Sequence, residues 1–213
     1  HYMDQFTYAE RATDWRGNNN IAESLFRQME RERFSEPAWV VVGAGTGGTS
    51  ATIGRYIRYQ GLSTKLCVAD PENSVYAEFF RTRNSKLTCD QTSRIEGIGR
   101  PRVEPSFIPQ VIDRVIQVPD AASIATMQTL DCLIDRKCGA STGTNLWAVF
   151  QLVSEMKAHN EQGSIVTLIC DGGDRYAKTY YDQGWLDKNA ICPAPFSNQI
   201  QTFVDNGTWH PLN

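Results

Sequence analysis

The chain has 213 residues, 41% hydrophobic and 21% charged, with 21 Lys and Arg against 24 Asp and Glu for a net charge of −3. That composition describes a globular domain able to bury a core, and the near-even charge without a basic stripe excludes the electrostatic footprint of a nucleic-acid binder. No apolar run reaches the ~18 residues of a membrane span, and the opening HYMDQFTYAE has no signal-peptide character, so we expect a cytoplasmic protein with no membrane partner.

The first periodic segment, NNNIAESLFRQMERER, carries Ile21, Leu25 and Met29 four residues apart, predicting an amphipathic helix capped by Asn19 or Asn20 and ended by Pro37. Trp39 to Val42 reads as a buried strand, Thr49 to Tyr59 as a helix and Thr64 to Ala69 as a second strand, together one βαβ unit. An irregular stretch follows, with a helix predicted around Val75 to Arg81 and a glycine loop at Glu96–Gly99. Val115 to Val118 then reads as a third strand and Ser123 to Asp135 as a helix. After the turn Cys138–Gly143 comes a helix bearing Leu146, Val149, Phe150 and Val153. A fourth strand, Ile165 to Ile169, runs into Asp171-Gly172-Gly173-Asp174 and a helical segment through Tyr180. Strands alternating with helices predict an α/β fold with a parallel twisted sheet flanked by helices, whose ligands sit at the carboxyl ends of the strands.

Six cysteines without a CxxC pair and three histidines supply neither zinc-site spacing nor a disulfide scaffold, and no metal is expected. The glycine turns are more telling. Gly43-Ala44-Gly45-Thr46-Gly47-Gly48 satisfies GxGxxG between a strand and a helix, and Asp70 ends the next strand where a ribose-binding acid would stand in an NAD-dependent oxidoreductase. Against a dinucleotide, Thr46, Thr49 and Ser50 crowd hydroxyls around the turn. A terminal phosphate monoester, with nearly two charges and three free oxygens, calls for such extra donors beside the helix N–H groups. Gly139-Ala140-Ser141-Thr142-Gly143 matches the GxSxG nucleophile elbow, with Asp171 and His210 following in hydrolase order. The charged residues Asp135 to Lys137 before it are a poor buried strand, however, and no oxyanion segment accompanies it. Ser141 also reads simply as the N-cap of the next helix.

Taken together, MDQF (Met3–Phe6), GAGTGGT (Gly43–Thr49), IEGIG (Ile95–Gly99), FIPQVIDR (Phe107–Arg114), GASTG (Gly139–Gly143) and CDGGDRY (Cys170–Tyr176) resemble the fold type II pyridoxal-phosphate enzymes of the cysteine synthase and cystathionine β-synthase group. The likeness runs to about Asn189, and DPENSVYAEFF and the tail bring it nearest the cysteine desulfhydrases. It implies pyridoxal 5′-phosphate as cofactor, with Gly45, Thr46, Gly47, Gly48 and Thr49 cradling its phosphate and Ser141 bonded to its pyridine nitrogen. Gly97, Ile98 and Gly99 would form a flexible loop closing over the substrate, and Asp171 a support behind the ring. Cys170 stands where the family has proline, and Gly172 where serine is common. Arg94, Arg100 and Arg102 are available to attract an anionic amino acid, although such residues are more often simply solvated.

The resemblance also places the Schiff-base lysine, a ring-contacting asparagine and the loop gripping the substrate carboxylate in a preceding portion. None of Lys65, Lys86, Lys137, Lys157, Lys178 and Lys188 has that lysine's sequence context. We therefore expect no catalytic residue here, and a chain that is the C-terminal part of a longer homodimeric lyase. Residues 1–190 would form the phosphate-binding large domain, and 191–213 a tail packing on it or on a partner chain. The implied reaction is β-elimination of L-cysteine to hydrogen sulfide, pyruvate and ammonia. The alternatives are β-replacement, as in cysteine or cystathionine synthesis, or a non-catalytic phosphate-binding fragment.

Overall fold

The computed structural model describes residues 4–209; Met3 of the MDQF motif and His210 of the hydrolase reading lie outside them. Four parallel strands form one sheet in the order β3-β2-β1-β4: β1 (Trp39–Gly43), β2 (Lys65–Pro71), β3 (Arg114–Val118) and β4 (Ile165–Thr167). The period-two alternation of strand side chains divides the core in two. Val40, Val42, Leu66 and Val68 face α2 (Ile21–Met29), α3 (Gly48–Gln60) and α4 (Tyr76–Thr82) through Leu25, Ile53, Ile57 and Phe79. Val41, Cys67, Ala69 and Ile116 face α5 (Asp120–Ile134) and α6 (Ala140–Ala158) through Ala122, Ala125, Trp147 and Leu152. With both faces covered, the strands are near-continuous apolar runs, as buried parallel sheets require. Burial also pushes the Cys67 thiol up to about 12, so this cysteine is packing material.

The chain begins with a four-residue helix, α1 (Gln5–Tyr8), and a 3-10 turn, Ala9–Arg11. Glu10 of that turn pairs with Arg55 and fixes the segment to α3. Asn20, not Asn19, caps α2 by accepting from Ala22 N–H at 2.8 Å and Glu23 N–H at 3.0 Å. The helix stops at Met29, well before Pro37, and Ile21 of the predicted stripe is exposed.

Two elements depart from the sequence reading near the carboxyl edge of the sheet. Strand β4 ends at Thr167 rather than Ile169, because Cys170 N–H donates to the Thr142 hydroxyl at 3.0 Å and draws the chain toward the start of α6. The predicted helix through Tyr180 is only a 3-10 turn, Asp174–Tyr176; regular helix resumes in α7 (Gln183–Lys188). Three hydroxyls tie that stretch to three other segments: Tyr176 to Asp171, Tyr180 to Arg94 O, and Tyr181 to Cys138 O. Tertiary anchoring overrides local helical preference. The last helix, α8 (Ala194–Asn206), packs on the α5–α6 layer with Ile200 fully buried and Phe196 edge-on to Trp147.

Ile57 lies between α3 and the sheet with no exposed surface. Ile57→Ala is expected to lower the unfolding free energy by about 2–5 kcal/mol, read by urea denaturation, with an unchanged native circular dichroism spectrum.

Candidate cofactor site

The sheet order reverses direction at β1, where the chain has built outward through β2 and β3 and returns to the other side with β4. Open α/β sheets hold ligands at such a switch point, beyond the carboxyl ends of the strands. A cavity of about 470 Å³ opens there, lined by the β1–α3 turn Gly43–Thr49, the loop Glu96–Ile98, Ser141 and Asn145 of α6, and Leu168, Cys170 and Asp171 beyond β4.

The β1–α3 turn is shaped by glycine at two positions. Gly47 is left-handed at φ 94°, and a Cβ there would stand 2.6 Å from the Phe107 Cα. At Gly45 a Cβ would collide with the carbonyl of Gly97 and fill the cradle. Two of the turn's carbonyls are engaged by neighbouring segments. Gly45 O accepts from the Tyr76 hydroxyl at 2.6 Å and Ala44 O from Gly99 N–H at 2.8 Å. No side chain caps α3, whose first intrahelical bond is Ala51 N–H to Gly47 O, so the N–H groups of residues 48–50 remain open at the positive end of the helix.

Of the three hydroxyls read from sequence, Thr46 and Thr49 line the cavity. The Ser50 hydroxyl instead donates back to Gly47 O at 3.0 Å and is fully buried, so it offers nothing to a ligand. Ser141 is the second residue of α6, not its N-cap; Gly139 holds that place. Its hydroxyl is thus free of capping duty and lines the cavity across from the glycine turn.

The Gly97, Ile98 and Gly99 loop lies against the turn. Besides the Gly99–Ala44 bond, Glu96 N–H donates to the Tyr180 hydroxyl at 3.1 Å, and the Ile98 side chain is buried with Ile95, Ile124 and Met127. At the loop's tip Glu96 pairs with Arg175. Behind the cavity, Asp171 accepts from the Tyr176 hydroxyl at 2.8 Å through Oδ2, while its Oδ1 is buried without a partner. Burial, followed by that bond to Asp171, pushes the Tyr176 hydroxyl well above its ordinary range, so Tyr176 stays a proton donor.

Sequence reading missed Asn145 and Tyr76. Asn145 is 1% exposed, with Oδ1 unpartnered and Nδ2 3.5 Å from the Cys170 sulfur. Its spacing of four from Ser141 places both on one helix face, which was a readable signal. Tyr76 gave none, because its role is a bond to a backbone carbonyl 31 residues away.

Asp70 is not a ribose acid. It is fully buried in β2, away from the cavity lining, and accepts from Ala77 N–H at 2.8 Å at the start of α4. The open helix end, the cradle that a Cβ would fill and the orphaned Oδ1 atoms of Asp171 and Asn145 suit a ligand with one terminal phosphoryl group and a polar ring. Among the described residues, none of the six lysines lines the cavity, and no three His, Cys, Asp or Glu side chains converge as a metal site needs.

Burial pushes the Asp70 carboxyl up to about 6 from 3.8, against the lowering pull of Ser74 and the Ala77 N–H. Below pH 3.8 the group is neutral in both folded and unfolded chains; above about 6 it is charged in both, and the native state bears the cost of the buried charge. Asp70→Asn keeps an acceptor for Ala77 and removes that cost. It is expected to stabilise the protein by on the order of 3 kcal/mol more at pH 7 than at pH 3.5. Urea unfolding at the two pH values reads the difference, and an equal effect at both would refute the assignment.

Comparison with known proteins agrees with this geometry. The family model described as "Pyridoxal-phosphate dependent enzyme" matches residues 1–171. The chain is 54% identical over 209 residues to the L-cysteine desulfhydrase Cds1 of Mycobacterium tuberculosis, covering 98% of this chain and 57% of that protein. It is 30% identical to a putative pyridoxal-phosphate dependent protein of Caenorhabditis elegans, over 88% of this chain and 49% of that one. It is also 26% identical to cysteine synthase 2 of Schizosaccharomyces pombe, over 91% and 49%. The chain therefore spans about half the length of the curated relatives it matches. With the family model covering most of the sequence and the switch-point cavity formed by its motifs, the chain belongs to the pyridoxal-phosphate dependent enzymes.

Proposed function

We propose that the protein is a carbon–sulfur lyase that eliminates sulfide from L-cysteine, with water completing the conversion to pyruvate and ammonia. The observation that carries this reading is the 54% identity to a cysteine desulfhydrase over nearly the whole chain. Cysteine synthase relatives are more distant. Homodimer formation and a cytoplasmic location belong to the same reading and rest on the family resemblance.

Pyridoxal phosphate, when bound, supplies a conjugated ring that takes up the electron pair left by the departing α-proton. The chain's own residues do the rest of the work assigned to this cavity. Gly45, Thr46, Gly47, Gly48 and Thr49 hold the phosphoryl group through backbone N–H groups and two hydroxyls. Each charge-assisted bond is worth roughly 1.5–3 kcal/mol and the helix dipole adds about 0.3–1 kcal/mol. Ser141 meets the ring nitrogen with a neutral hydroxyl. Unlike a carboxylate, it does not hold that nitrogen protonated, so the ring withdraws electrons less strongly. That moderation favours loss of a leaving group at Cβ over reactions that need a longer-lived negative charge on the ring. Gly97, Ile98 and Gly99 wall the substrate from water, and Asp171 holds Tyr176 behind the ring. The base that removes the α-proton is not among the residues lining this cavity, consistent with a lysine supplied from elsewhere.

In the cofactor-loaded protein, sulfide release from L-cysteine is expected to exceed sulfide uptake with O-acetylserine. Uptake dominating would replace this reading with β-replacement. Ser141→Ala removes one ring hydrogen bond and is expected to lower kcat by about 2- to 10-fold while shifting the visible absorbance of the bound cofactor. An unshifted spectrum would remove Ser141 from the ring nitrogen.

A further inference from the structure

Three arginines flank the glycine loop, and the fold gives them different duties. Arg94 donates to the Asn189 carbonyl at 2.9 Å, and Arg102 pairs with Glu104 at 3.2 Å. Arg175 reaches the cavity but is paired with Glu96. Arg100 lines the cavity and, among the described residues, has no carboxylate partner.

Its position is fixed from behind. Arg100 N–H donates to the Ser74 hydroxyl at 3.1 Å, and its carbonyl accepts from Val75 N–H at 2.9 Å. The guanidinium lies over the Phe6 ring, 4.9 Å from its centroid, so one face is covered by aromatic carbon and the hydrogen-bonding edges remain directed. Nη2 stands 3.9 Å from where a Cβ on Gly45 would be, beside the phosphate turn. Nε is shielded from solvent and makes no hydrogen bond. A held cation with an unmet buried donor, facing a cavity, is built for an oxyanion or a thiolate.

We propose that Arg100 is the anion-binding side chain of this cavity and takes the ionised sulfur of the amino-acid substrate. The assignment rests on the lyase reading above for the identity of that substrate. The cofactor's phosphoryl group is the other anion at hand, but the open N–H groups at the start of α3 and the hydroxyls of Thr46 and Thr49 already face it. Arg100 instead follows directly on the Gly97–Gly99 loop proposed to cover the substrate and is held over the Phe6 ring.

The test uses the cofactor-loaded protein with Arg100→Gln and Arg100→Lys, and measures binding by tryptophan fluorescence. The probes are L-alanine, with a carboxylate and no sulfur, cysteamine, with sulfur and no carboxylate, and 3-mercaptopropionate, with both. Arg100→Gln is expected to weaken 3-mercaptopropionate about 10- to 100-fold, with partial recovery in Arg100→Lys and cofactor affinity held within about twofold. A matching loss for cysteamine with L-alanine unchanged assigns the sulfur, and a loss for L-alanine alone overturns the proposal. Unchanged probe binding, or a loss of cofactor affinity instead, overturns the proposal. Probe binding needs no turnover, so a protein that binds the probes through Arg100 yet takes up sulfide with O-acetylserine faster than it releases sulfide from L-cysteine sinks the lyase reading and leaves this one standing.

Discussion

The close approach of three chain segments at the carboxyl end of β1 is the constraint on which the site depends. The β1–α3 turn must pass between the Gly97 loop and the backbone at Phe107, and it does so because Gly45 and Gly47 have no side chain to place there. Once seated, the turn's carbonyls are satisfied by Tyr76 and Gly99, leaving the N–H groups of residues 48–50 as the unused polar atoms. Buried backbone groups are nearly always paired, so satisfying one side of the turn determines which side is left to recognise a ligand. Tyr76 contributes doubly. It stacks on Phe107 at 4.0 Å between ring centroids, and burial drives its hydroxyl far above the ordinary range, so it donates to Gly45 O at any working pH.

This arrangement divides the electrostatic labour. The glycine-turn end offers oriented dipoles, which are preorganised and need no counter-charge. The far wall holds neutral groups, Ser141 and Asn145, together with Asp171 behind. Formal positive charge enters only from the loop side, where Arg175 is neutralised by Glu96 and Arg100 is not. The cavity thus presents two kinds of donor, oriented backbone dipoles at the glycine turn and a guanidinium beside the loop.

The parts legible in sequence were those set by local pattern. Val40 to Val42 running into glycines and the helix from Thr49 needed only neighbours to interpret, and the family motifs gave the cofactor. The misreadings share one cause, which is that a side chain's direction is set by the hydrogen-bond partner it finds in the fold, near or far along the chain. Asp70 looked like a ribose acid because spacing puts it at the strand's end, but its carboxylate is drawn inward to α4. Ser50 looked like a phosphate ligand, but one residue's further advance into the helix turns its hydroxyl onto Gly47 O. Tyr176 and Tyr180 looked helical, and their hydroxyls instead bind Asp171 and Arg94 O.

The wall beyond β4 shows what such long-range ties accomplish. Only Trp39, Val40 and Val41 pair with that strand, a short ladder to position Cys170 and Asp171 at the cavity. The ladder is reinforced by the Thr167 hydroxyl donating to Val41 O at 2.9 Å, then by Thr142 capturing Cys170 N–H, and by Gly139 N–H donating to Asp171 O at 3.2 Å. Two of these three ties come from the first turn of α6, which also carries Ser141. The position of the Ser141 hydroxyl and the position of the Cys170–Asp171 segment are therefore one mechanical unit. A disturbance at the start of α6 moves both together, whereas one in the middle of β4 is resisted by contacts the strand itself does not make. Short strands at a switch point can carry a precise site when the adjoining helix start, rather than the ladder, holds the chain beyond them.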